Sequence, residues 1–276
     1  MTVGGGATGA FTGSAAAVNL NGDLTLAVGS TWNKGAGTVT FGKNGAQTIT
    51  DNTASKQDLG IVATSGTLNN SVSTATNIKA MSVTIYSPSI LDISDDTITI
   101  TGTGVPFYQG GTLISTNSTI EFTGNGATIP WDVNYNNLGL KPSSSSAQIL
   151  QGNTFFISGN LTIGDGTNAG ATGQLNSPDI FITGAMSISN GATFTQGSNL
   201  LNIDGTMTVG GGTTGTFVGS GALNLNGNLT LAVGSTWTKG TGTVTFGKGA
   251  AQVITENTAS KQDLGIVATA NPSTSV

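Results

Sequence analysis

This sequence contains a long internal repeat, and that repeat limits the possible folds more than any other property of the chain. Residues 2–64 match residues 208–269 with a single one-residue gap, and 50 of the 62 aligned positions are identical. The segment Asn52–Thr64 recurs unchanged as Asn257–Thr269. Met1 aligns with Met207, which lies inside the chain. We therefore interpret the 276 residues as a window cut from a longer repetitive polypeptide.

A finer period runs inside the long repeat. Short runs of alternating apolar residues recur about every 21 residues and end at Leu20, Phe41, Val62, Val83, and later at Ile182, Ile203, Leu225, Phe246 and Val267. A second series, each member two residues after a glycine, begins at Leu161, Met186, Met207 and Leu229. Periods of 20–50 residues indicate solenoids, propellers or repeat arrays.

Each period holds two or three short runs such as Gly37–Phe41, in which apolar and hydroxylated residues alternate. This alternation is typical of strands with one buried face, and Gly or Asn-Gly turn signals separate the runs. No window shows helical spacing of apolar residues. One period is also too short for a propeller blade of about 40 residues. The sequence therefore predicts an all-β fold, a parallel β-helix (β-solenoid) with coils of about 21–22 residues.

The period divides the chain into three parts. Residues 1–83 are predicted to be regular coils that contain the first copy of the long repeat. Residues 84–156 break the period and are predicted to be coils with longer loops. Residues 157–276 return to regular coils, and residues 207–269 are the second copy. At about 21 residues a coil, the chain would hold about 13 coils.

Composition excludes several kinds of function. The chain has no Cys and no His, so thiolate or imidazole metal sites and His-based triads are excluded. All eight basic residues are Lys and the net charge is −5, which argues against nucleic-acid binding. No apolar run is long enough for a membrane helix. The first residues, Met1–Gly6, have neither the basic nor the apolar region of a signal peptide, and we expect signal and anchor regions to lie outside this window. We predict no cofactor, no metal and no membrane insertion.

The abundance of Gly, Ser, Thr and Asn has a physical explanation in a stacked coil. Equivalent positions recur about every 4.8 Å, so a row of like charges would repel. Neutral hydroxyl and amide side chains avoid this repulsion and can bond along the stack. Inward Leu, Ile, Val and Phe would form apolar ladders, and Gly would occupy corners with positive φ.

The segment 22–50 resembles the Gly/Thr/Asn-rich β-strand repeats of bacterial extracellular adhesins, of the filamentous-haemagglutinin and autotransporter-passenger types. It returns at 227–255 and more weakly at 119–129. The resemblance covers about two thirds of the chain and implies a surface-exposed or secreted fibrous protein without enzymatic activity. No functional residues carry over, because the pattern contains none.

An enzymatic alternative is a polysaccharide-cleaving β-helix, for which Asp92, Asp95 and Asp96 are the best carboxylate cluster. The same residues are the one plausible calcium site, because the runs Gly4–Gly6 and Gly210–Gly212 lack the Asp of a calcium-binding nonapeptide. A polar turn between Ile93 and Ile98 explains the cluster more simply. We predict no enzyme and no site residue here.

Two further patterns have simple structural explanations. Pairs of Thr two residues apart could order ice, but ordinary outward hydroxyls on a strand explain them better; they are Thr38/Thr40, Thr48/Thr50, Thr97/Thr99/Thr101, Thr206/Thr208 and Thr243/Thr245. Trp32 and Trp237 share a Gly-Ser-Thr-Trp context and could stack on a sugar, but packing in the core is favoured.

The lysines recur in register between the two copies. Lys34, Lys43 and Lys56 match Lys239, Lys248 and Lys261, and we predict solvated, solubilising charges. An intramolecular Lys–Asn isopeptide bond is the alternative; a mass without loss of ammonia would exclude it.

Together, these patterns predict a structural, non-catalytic repeat unit of an extracellular fibre, adhesin stalk or surface matrix. It would self-associate head to tail through stacked coils, with surface glycans as a further candidate partner. The alternative is a carbohydrate-binding or carbohydrate-degrading β-helix such as a phage tailspike.

Overall fold

The computed structural model describes residues 1–5, 8–142, 144, 146–167, 171–175, 178–211, 214–247, 249 and 251–270, with residues 171–175 by backbone alone. All of its regular elements are β-strands, which pair in parallel as a β-solenoid of about 11 turns. The predicted fold class is confirmed. The expected 13 coils were too many, because several turns exceed 21 residues: Leu24 pairs with Ile49, and Leu161 with Met186.

The chain forms two compact units. The first comprises Met1–Thr123 with Asp132–Asn136, and the second comprises Gly124–Trp131 with Asn137–Val276. The two units alternate along the chain at residues 124–136, which lie within the segment 84–156 where the sequence period breaks.

The first unit contains sixteen short strands: β1 (Thr2–Val3), β2 (Ala10–Thr12), β3 (Val18–Leu20), β4 (Leu24–Leu26), β5 (Thr31–Asn33), β6 (Thr38–Phe41), β7 (Ala46–Asp51), β8 (Ile61–Thr64), β9 (Ser71–Thr74), β10 (Ile78–Ala80), β11 (Ser82–Ile85), β12 (Ile90–Asp92), β13 (Thr97–Ile100), β14 (Phe107–Gln109), β15 (Thr112–Ile114) and β16 (Thr119–Phe122). They pair in the orders β1-β4-β7-β9-β12-β15, β3-β6-β8-β11-β14, β2-β5 and β10-β13-β16. Each strand therefore stacks on its counterpart one turn earlier.

The second unit contains the remaining strands: β17 (Thr128–Pro130), β18 (Asn137–Leu140), β19 (Gln148–Gln151), β20 (Phe155–Ile157), β21 (Leu161–Ile163), β22 (Ala171–Leu175), β23 (Ile180–Ile182), β24 (Met186–Ile188), β25 (Thr193–Gln196), β26 (Leu201–Ile203), β27 (Met207–Val209), β28 (Thr216–Gly219), β29 (Leu223–Leu225), β30 (Leu229–Leu231), β31 (Thr236–Lys239), β32 (Val244–Phe246), β33 (Ile254–Glu256) and β34 (Val267–Thr269). Three faces result, with the orders β18-β21-β24-β27-β30-β33, β17-β19-β22-β25-β28-β31 and β20-β23-β26-β29-β32-β34.

The inward side chains form the apolar ladders that the sequence predicts. Leu161, Met186, Met207 and Leu229 pair in sequence and are fully buried. The register differs from the prediction at the same step in both copies. Phe41 pairs with Thr64 rather than with Val62, which pairs with Val39, and Phe246 likewise pairs with Thr269 rather than with Val267. The step is two residues longer there, and a shift of two keeps the same side chains inward.

Glycine has a second role besides the corners with positive φ. Gly205 does not have positive φ, yet a Cβ built on it would lie 2.4 Å from the carbonyl oxygen of Gly184. A Cβ on Gly227 would likewise lie 2.0 Å from the carbonyl oxygen of Gly205. Successive turns approach so closely at this ladder that only a residue without a side chain fits.

Candidate functional site

The unchanged part of the long repeat forms a closed loop around a buried carboxylate. Asp51 is fully buried at the end of β7. Its Oδ1 accepts hydrogen bonds from the backbone N (2.9 Å) and the hydroxyl (2.5 Å) of Thr53, and its Oδ2 accepts one from the backbone N of Gln57 (2.7 Å). The Nζ of Lys56 donates to the carbonyl oxygen of Asp51. Residues Asp51–Gly60, here called the Asp51 loop, are thus held by their own first residue.

The second copy builds the same loop with a longer acid. Thr258 Oγ1 bonds to Glu256 Oε1, and Lys261 Nζ donates to the Glu256 carbonyl oxygen at 2.7 Å. Lys261 also forms an ion pair with Glu256 Oε2 at 3.2 Å. Residues Glu256–Gly265 are the Glu256 loop. The Asp-to-Glu change therefore preserves the bond from the threonine hydroxyl to the carboxylate and the bond from the lysine to the backbone carbonyl oxygen.

Each loop takes the place of a strand in the stack. The side-chain Oε1 of Gln57 accepts the backbone N–H of Trp32 at 3.2 Å, where a strand would offer a carbonyl oxygen. Gln262 does the same for Trp237 at 3.1 Å. On its other side the Asp51 loop resumes normal pairing, since the backbone N of Leu59 donates to the Lys79 carbonyl at 2.9 Å.

Both tryptophans of the repeat lie in the core. Trp32 is buried and stacks on Phe11, with ring centroids 4.3 Å apart. Trp237 is buried and stacks on Phe217, with centroids 4.4 Å apart. The favoured interpretation, packing rather than sugar stacking, is therefore confirmed. Neither indole Nε1 has a hydrogen-bond partner among the described residues.

The prediction that all these lysines are solvated is wrong for Lys34, and its counterpart Lys239 is half-buried. Lys34 is only 2% exposed, and its Nζ donates to the carbonyl oxygens of Ala16 (2.5 Å) and Ser14 (3.3 Å). Lys239 Nζ donates to the carbonyl oxygens of Gly221 (2.5 Å) and Gly242 (2.8 Å), and desolvation lowers its pKa. Each ammonium group therefore binds two backbone carbonyl oxygens of residues that lie between strands. Lys248 lies outside the described residues.

A cleft of about 300 Å³ opens beside the Asp51 loop. Its lining comprises Trp32, Asn33, Lys34, Gly35, Asp58, Gly60 and Met81. The only carboxylate in this lining is Asp58, which accepts hydrogen bonds from the Gly60 backbone N (2.9 Å) and the Thr101 hydroxyl (2.7 Å). Acid–base hydrolysis of a glycoside requires two carboxyl groups that flank the bond. The lining therefore lacks the pair that this chemistry needs.

The acidic cluster of the sequence forms a turn whose carboxylates are bonded separately. Asp92 Oδ1 accepts from the backbone N (3.0 Å) and hydroxyl (2.7 Å) of Ser94. Asp96 Oδ2 accepts from the Thr74 hydroxyl (2.7 Å), and Asp95 Oδ1 from the Asn117 amide (3.1 Å). Asp95 has a φ of 65°, as turn residues often do. No group of three or more acidic, His or Cys residues in the described part of the chain is arranged to hold a metal ion.

The threonine pairs do not form a two-row array. Thr38 and Thr40 pair with Ile61 and Ala63, so the hydroxyl row ends after one turn. A single row that the pair pattern missed does exist in the second unit: Thr162, Ser187, Thr208, Thr230 and Thr255 are successive register partners. Of the glycine runs, Gly6 and Gly212 lie outside the described residues.

The sequence patterns also missed two groups of exposed apolar side chains. One is on the last coil, at Ile254 and Val267. The other comprises Trp131 and Phe156 of the second unit; Phe181, whose ring stacks on Phe156, is half-buried. Trp131 stood out in the sequence only as part of an irregular segment. Most strands have only three residues, so each offers one or two outward positions. The alternation of apolar and polar residues is then too short to show that an outward position holds an apolar side chain.

Comparison with known protein families, with curated proteins and with solved structures finds no match to this chain. Within the described residues there is no helix long and apolar enough to cross a membrane.

Proposed function

We propose that this chain is a structural, non-catalytic repeat unit of an extracellular fibre, adhesin stalk or surface matrix, and that it assembles end to end through stacked β-coils. The observation that carries the proposal is the burial of the same side chains in the two copies of the repeat. Ile49 is 1% exposed, but its counterpart Ile254 is 43% exposed. Val62 is 3% exposed, but Val267 is 48% exposed.

The difference arises from the neighbouring turn. In the first copy, β9 pairs with β7, and β11 pairs with β8, so a further turn covers the coil. In the second copy, β33 and β34 are the last strands of their sheets within the described part of the chain. Nearly identical local sequence therefore forms core in one place and an exposed edge in the other.

An exposed coil of this kind favours the addition of another coil. Burial of an Ile or Val side chain is worth roughly 1.5–3 kcal/mol, and the unpaired strand edge offers free backbone donors and acceptors. A head-to-tail contact that does not close generates an open filament. The added coil would come from the same polypeptide or from a second copy of it.

The proposed extracellular setting depends on the resemblance of residues 22–50 to adhesin repeats. The low charge supports a fibre, because only 8% of residues are charged and stacked turns tolerate few like charges. The single carboxylate of the cleft beside the Asp51 loop supports a non-catalytic role.

The proposal is tested by charges placed on the exposed coil. The double variant Ile254→Lys/Val267→Lys puts two ammonium groups where the next turn would pack. The matched control is Val253→Lys, because Val253 is also exposed but aligns with Thr48, which points outward and stays half-buried under the next turn. Sedimentation velocity and negative-stain images of the full chain measure assembly.

We expect filaments for the wild type and for Val253→Lys, with a meridional reflection at about 4.8 Å in X-ray fibre diffraction. The double variant should remain monomeric. A wild-type chain that stays a monodisperse monomer at high concentration would overturn end-to-end assembly of separate copies, and so would equal filament formation by the double variant.

A further inference from the structure

We propose that the folded chain modifies itself at Asn21 and Asn44, where the side-chain amide converts to a carboxyl group without an enzyme. Both residues precede a glycine, and the sequence contains three more such pairs, Asn125-Gly126, Asn190-Gly191 and Asn226-Gly227. The contacts of the fold leave the first two pairs free to react and restrain the others. The inference does not depend on end-to-end assembly.

The reaction uses atoms of the chain and one water molecule. The backbone N of the glycine attacks Cγ of the asparagine, and the new N–Cγ bond closes a succinimide ring. The side-chain nitrogen leaves as ammonia, together with the proton of the glycine N–H. Water then opens one of the two ring C–N bonds, which gives either Asp or isoaspartate, in which the main chain runs through Cγ. A glycine favours the attack because it has no side chain to hinder the approach.

Asn21 meets both requirements of this attack, a side chain that can turn and a glycine that can approach it. It is exposed at the corner between β3 and β4. Within the described part of the chain, no hydrogen bond holds its side chain or the backbone N of Gly22. A Cβ built on Gly22 would have nothing within 4 Å, so this glycine has space to move.

Asn44 lies at the same corner one turn later, between β6 and β7. Its side chain is exposed, and its Oδ1 accepts a 3.3 Å hydrogen bond from Nδ2 of Asn69, which is also exposed. This bond is longer than most N–H···O bonds and restrains the side chain weakly. The atom nearest to a Cβ built on Gly45 is Cε of Lys43, at 3.8 Å. The Asn44 side chain can therefore turn toward the backbone N of Gly45.

The second copy of the long repeat holds the counterpart of Asn21 in place, although both lie in the sequence Leu-Asn-Gly. Asn226 is half-buried, and its Nδ2 donates to Asp204 Oδ1 at 2.7 Å. A Cβ built on Gly227 would lie 2.0 Å from the carbonyl oxygen of Gly205, so this glycine packs directly against the preceding turn. Attack here requires a bond to a carboxylate to break and two turns to separate.

Asn190 is restrained at both reacting groups. Its Oδ1 accepts hydrogen bonds from the backbone N (3.0 Å) and the hydroxyl (2.5 Å) of Thr214. The attacking nitrogen, the backbone N of Gly191, already donates to the Thr214 carbonyl oxygen at 2.7 Å. Asn125 is half-buried, and its Oδ1 accepts a bond of 2.9 Å from the backbone N of Ser144, so we expect an intermediate rate there.

The products alter one corner of a stack that has few charges. Each conversion adds one negative charge, and isoaspartate also adds one atom to the main chain between two strands. At this corner β3 and β4 pair in register with β6 and β7, so the added atom lengthens a connection whose two ends are fixed. The modified fraction at this corner therefore increases with the age of the chain.

The test compares the five pairs within one sample of the full chain. The folded chain is incubated in dilute solution at neutral and at mildly alkaline pH and is sampled over several weeks. Peptide mapping by mass spectrometry measures the conversion of each asparagine, and enzymatic methylation of isoaspartate measures that product. The matched control is the same incubation in guanidinium chloride, because the unfolded chain keeps the sequence and loses the contacts.

We expect Asn21 and Asn44 to convert at least about tenfold faster than Asn190 and Asn226 in the folded chain, and all four to convert at similar rates in the unfolded chain. The rates at Asn21 and Asn44 should rise with pH, because the attacking nitrogen must lose its proton. Gly22→Ala should slow the conversion of Asn21 and leave that of Asn44 unchanged.

Three results would overturn the proposal. The first is equal conversion of Asn21 and Asn226 in the folded chain, since the contacts would then have no effect. The second is no conversion of Asn21 and Asn44 under conditions in which the unfolded chain reacts. The third is an unchanged rate at Asn21 in Gly22→Ala. Filament formation does not enter these rates, so this proposal and end-to-end assembly fail separately.

Discussion

The side-chain Oε1 of Gln57 accepts the backbone N–H of Trp32 at 3.2 Å, so an amide side chain completes a ladder that a strand would otherwise continue. The same relationship joins Gln262 to Trp237. The solenoid therefore accommodates a loop inside its stack without leaving this backbone donor unpaired.

Removal of this acceptor should destabilise the coil. Gln57→Ala leaves the N–H of Trp32 without its partner, which costs about 1–3 kcal/mol in the free energy of unfolding. Gln262→Ala should behave alike at the second copy. Urea unfolding followed by tryptophan fluorescence measures both. A change below about 0.5 kcal/mol in both variants would show that water or another group replaces the glutamine.

Inward and outward positions of one strand should differ sharply in their tolerance of charge. Phe41 is fully buried, so Phe41→Asp places an unpaired carboxylate in the core and should cost several kcal/mol. Thr40 faces outward on the same strand, and Thr40→Lys should cost less than about 1 kcal/mol. Thermal melting compares the two. Equal shifts would contradict the assigned strand facing.

The glycine ladder should reject even a methyl group. Gly205→Ala brings a Cβ to 2.4 Å from the Gly184 carbonyl oxygen, and the turns must separate to admit it. We expect a loss of about 1–3 kcal/mol, as for other overpacked sites. Gly22→Ala is the control, because nothing lies within 4 Å of its added Cβ. Similar melting temperatures for the two variants would disprove the close approach.

Lys239 should make stability depend on alkaline pH. Desolvation lowers its folded-state pKa below the ordinary 10.5, so the folded chain releases this proton before the unfolded chain does. Stability therefore rises with pH between the folded and the unfolded pKa. Relative to Lys239→Met, the wild type should gain stability as the pH rises toward 10.5, the ordinary pKa of the unfolded lysine.

The pKa of the buried Tyr135 phenol is raised well above its ordinary 10.0, first by burial and then by the charge of Asp132, so the unfolded chain ionises this phenol before the folded chain does. Its contribution is common to the wild type and to Lys239→Met, so it cancels in their difference. Unfolding free energies from denaturant titrations at each pH measure this difference. A difference that stays constant with pH would contradict the desolvation of Lys239.

An added turn should protect the last coil. Fusion of residues 65–123 after Thr269 reproduces the sequence that follows Thr64 in the first copy. Residues 254–269 should then become core, and their amide hydrogen exchange should slow to the rates of residues 49–64. Unchanged exchange in the fusion would show that sequence identity does not carry the same packing.

The sequence predicted the fold because its signal is periodic. Recurring apolar pairs such as Val39 and Phe41 fix both the strand and its buried face, and the 21-residue spacing fixes the stacking. The two-residue shift at Val62 was missed, because the Asp51 loop lengthens one turn without changing which side chains face inward.

The chemistry around the loops was less predictable. Burial of Lys34 depends on carbonyl oxygens 18 and 20 residues earlier, which only the stacking of turns brings near its Nζ. The contact between the Trp131 side chain and Gly152 likewise joins residues of successive turns. No local pattern marks such contacts, whereas core packing of Trp32 was already the favoured interpretation of its Gly-Ser-Thr-Trp context.

The matching coils at residues 49–64 and 254–269 have a genetic consequence. Because the two copies offer the next turn the same side chains, a crossover between them in the gene would delete or insert the 205 residues that separate Asn52 from Asn257 and keep the ladders in register. We expect natural alleles to differ in length by multiples of 205 codons, with no loss of folding at the junction. Sequencing of the locus in independent isolates would detect these alleles, and a uniform length in all of them would contradict the expectation.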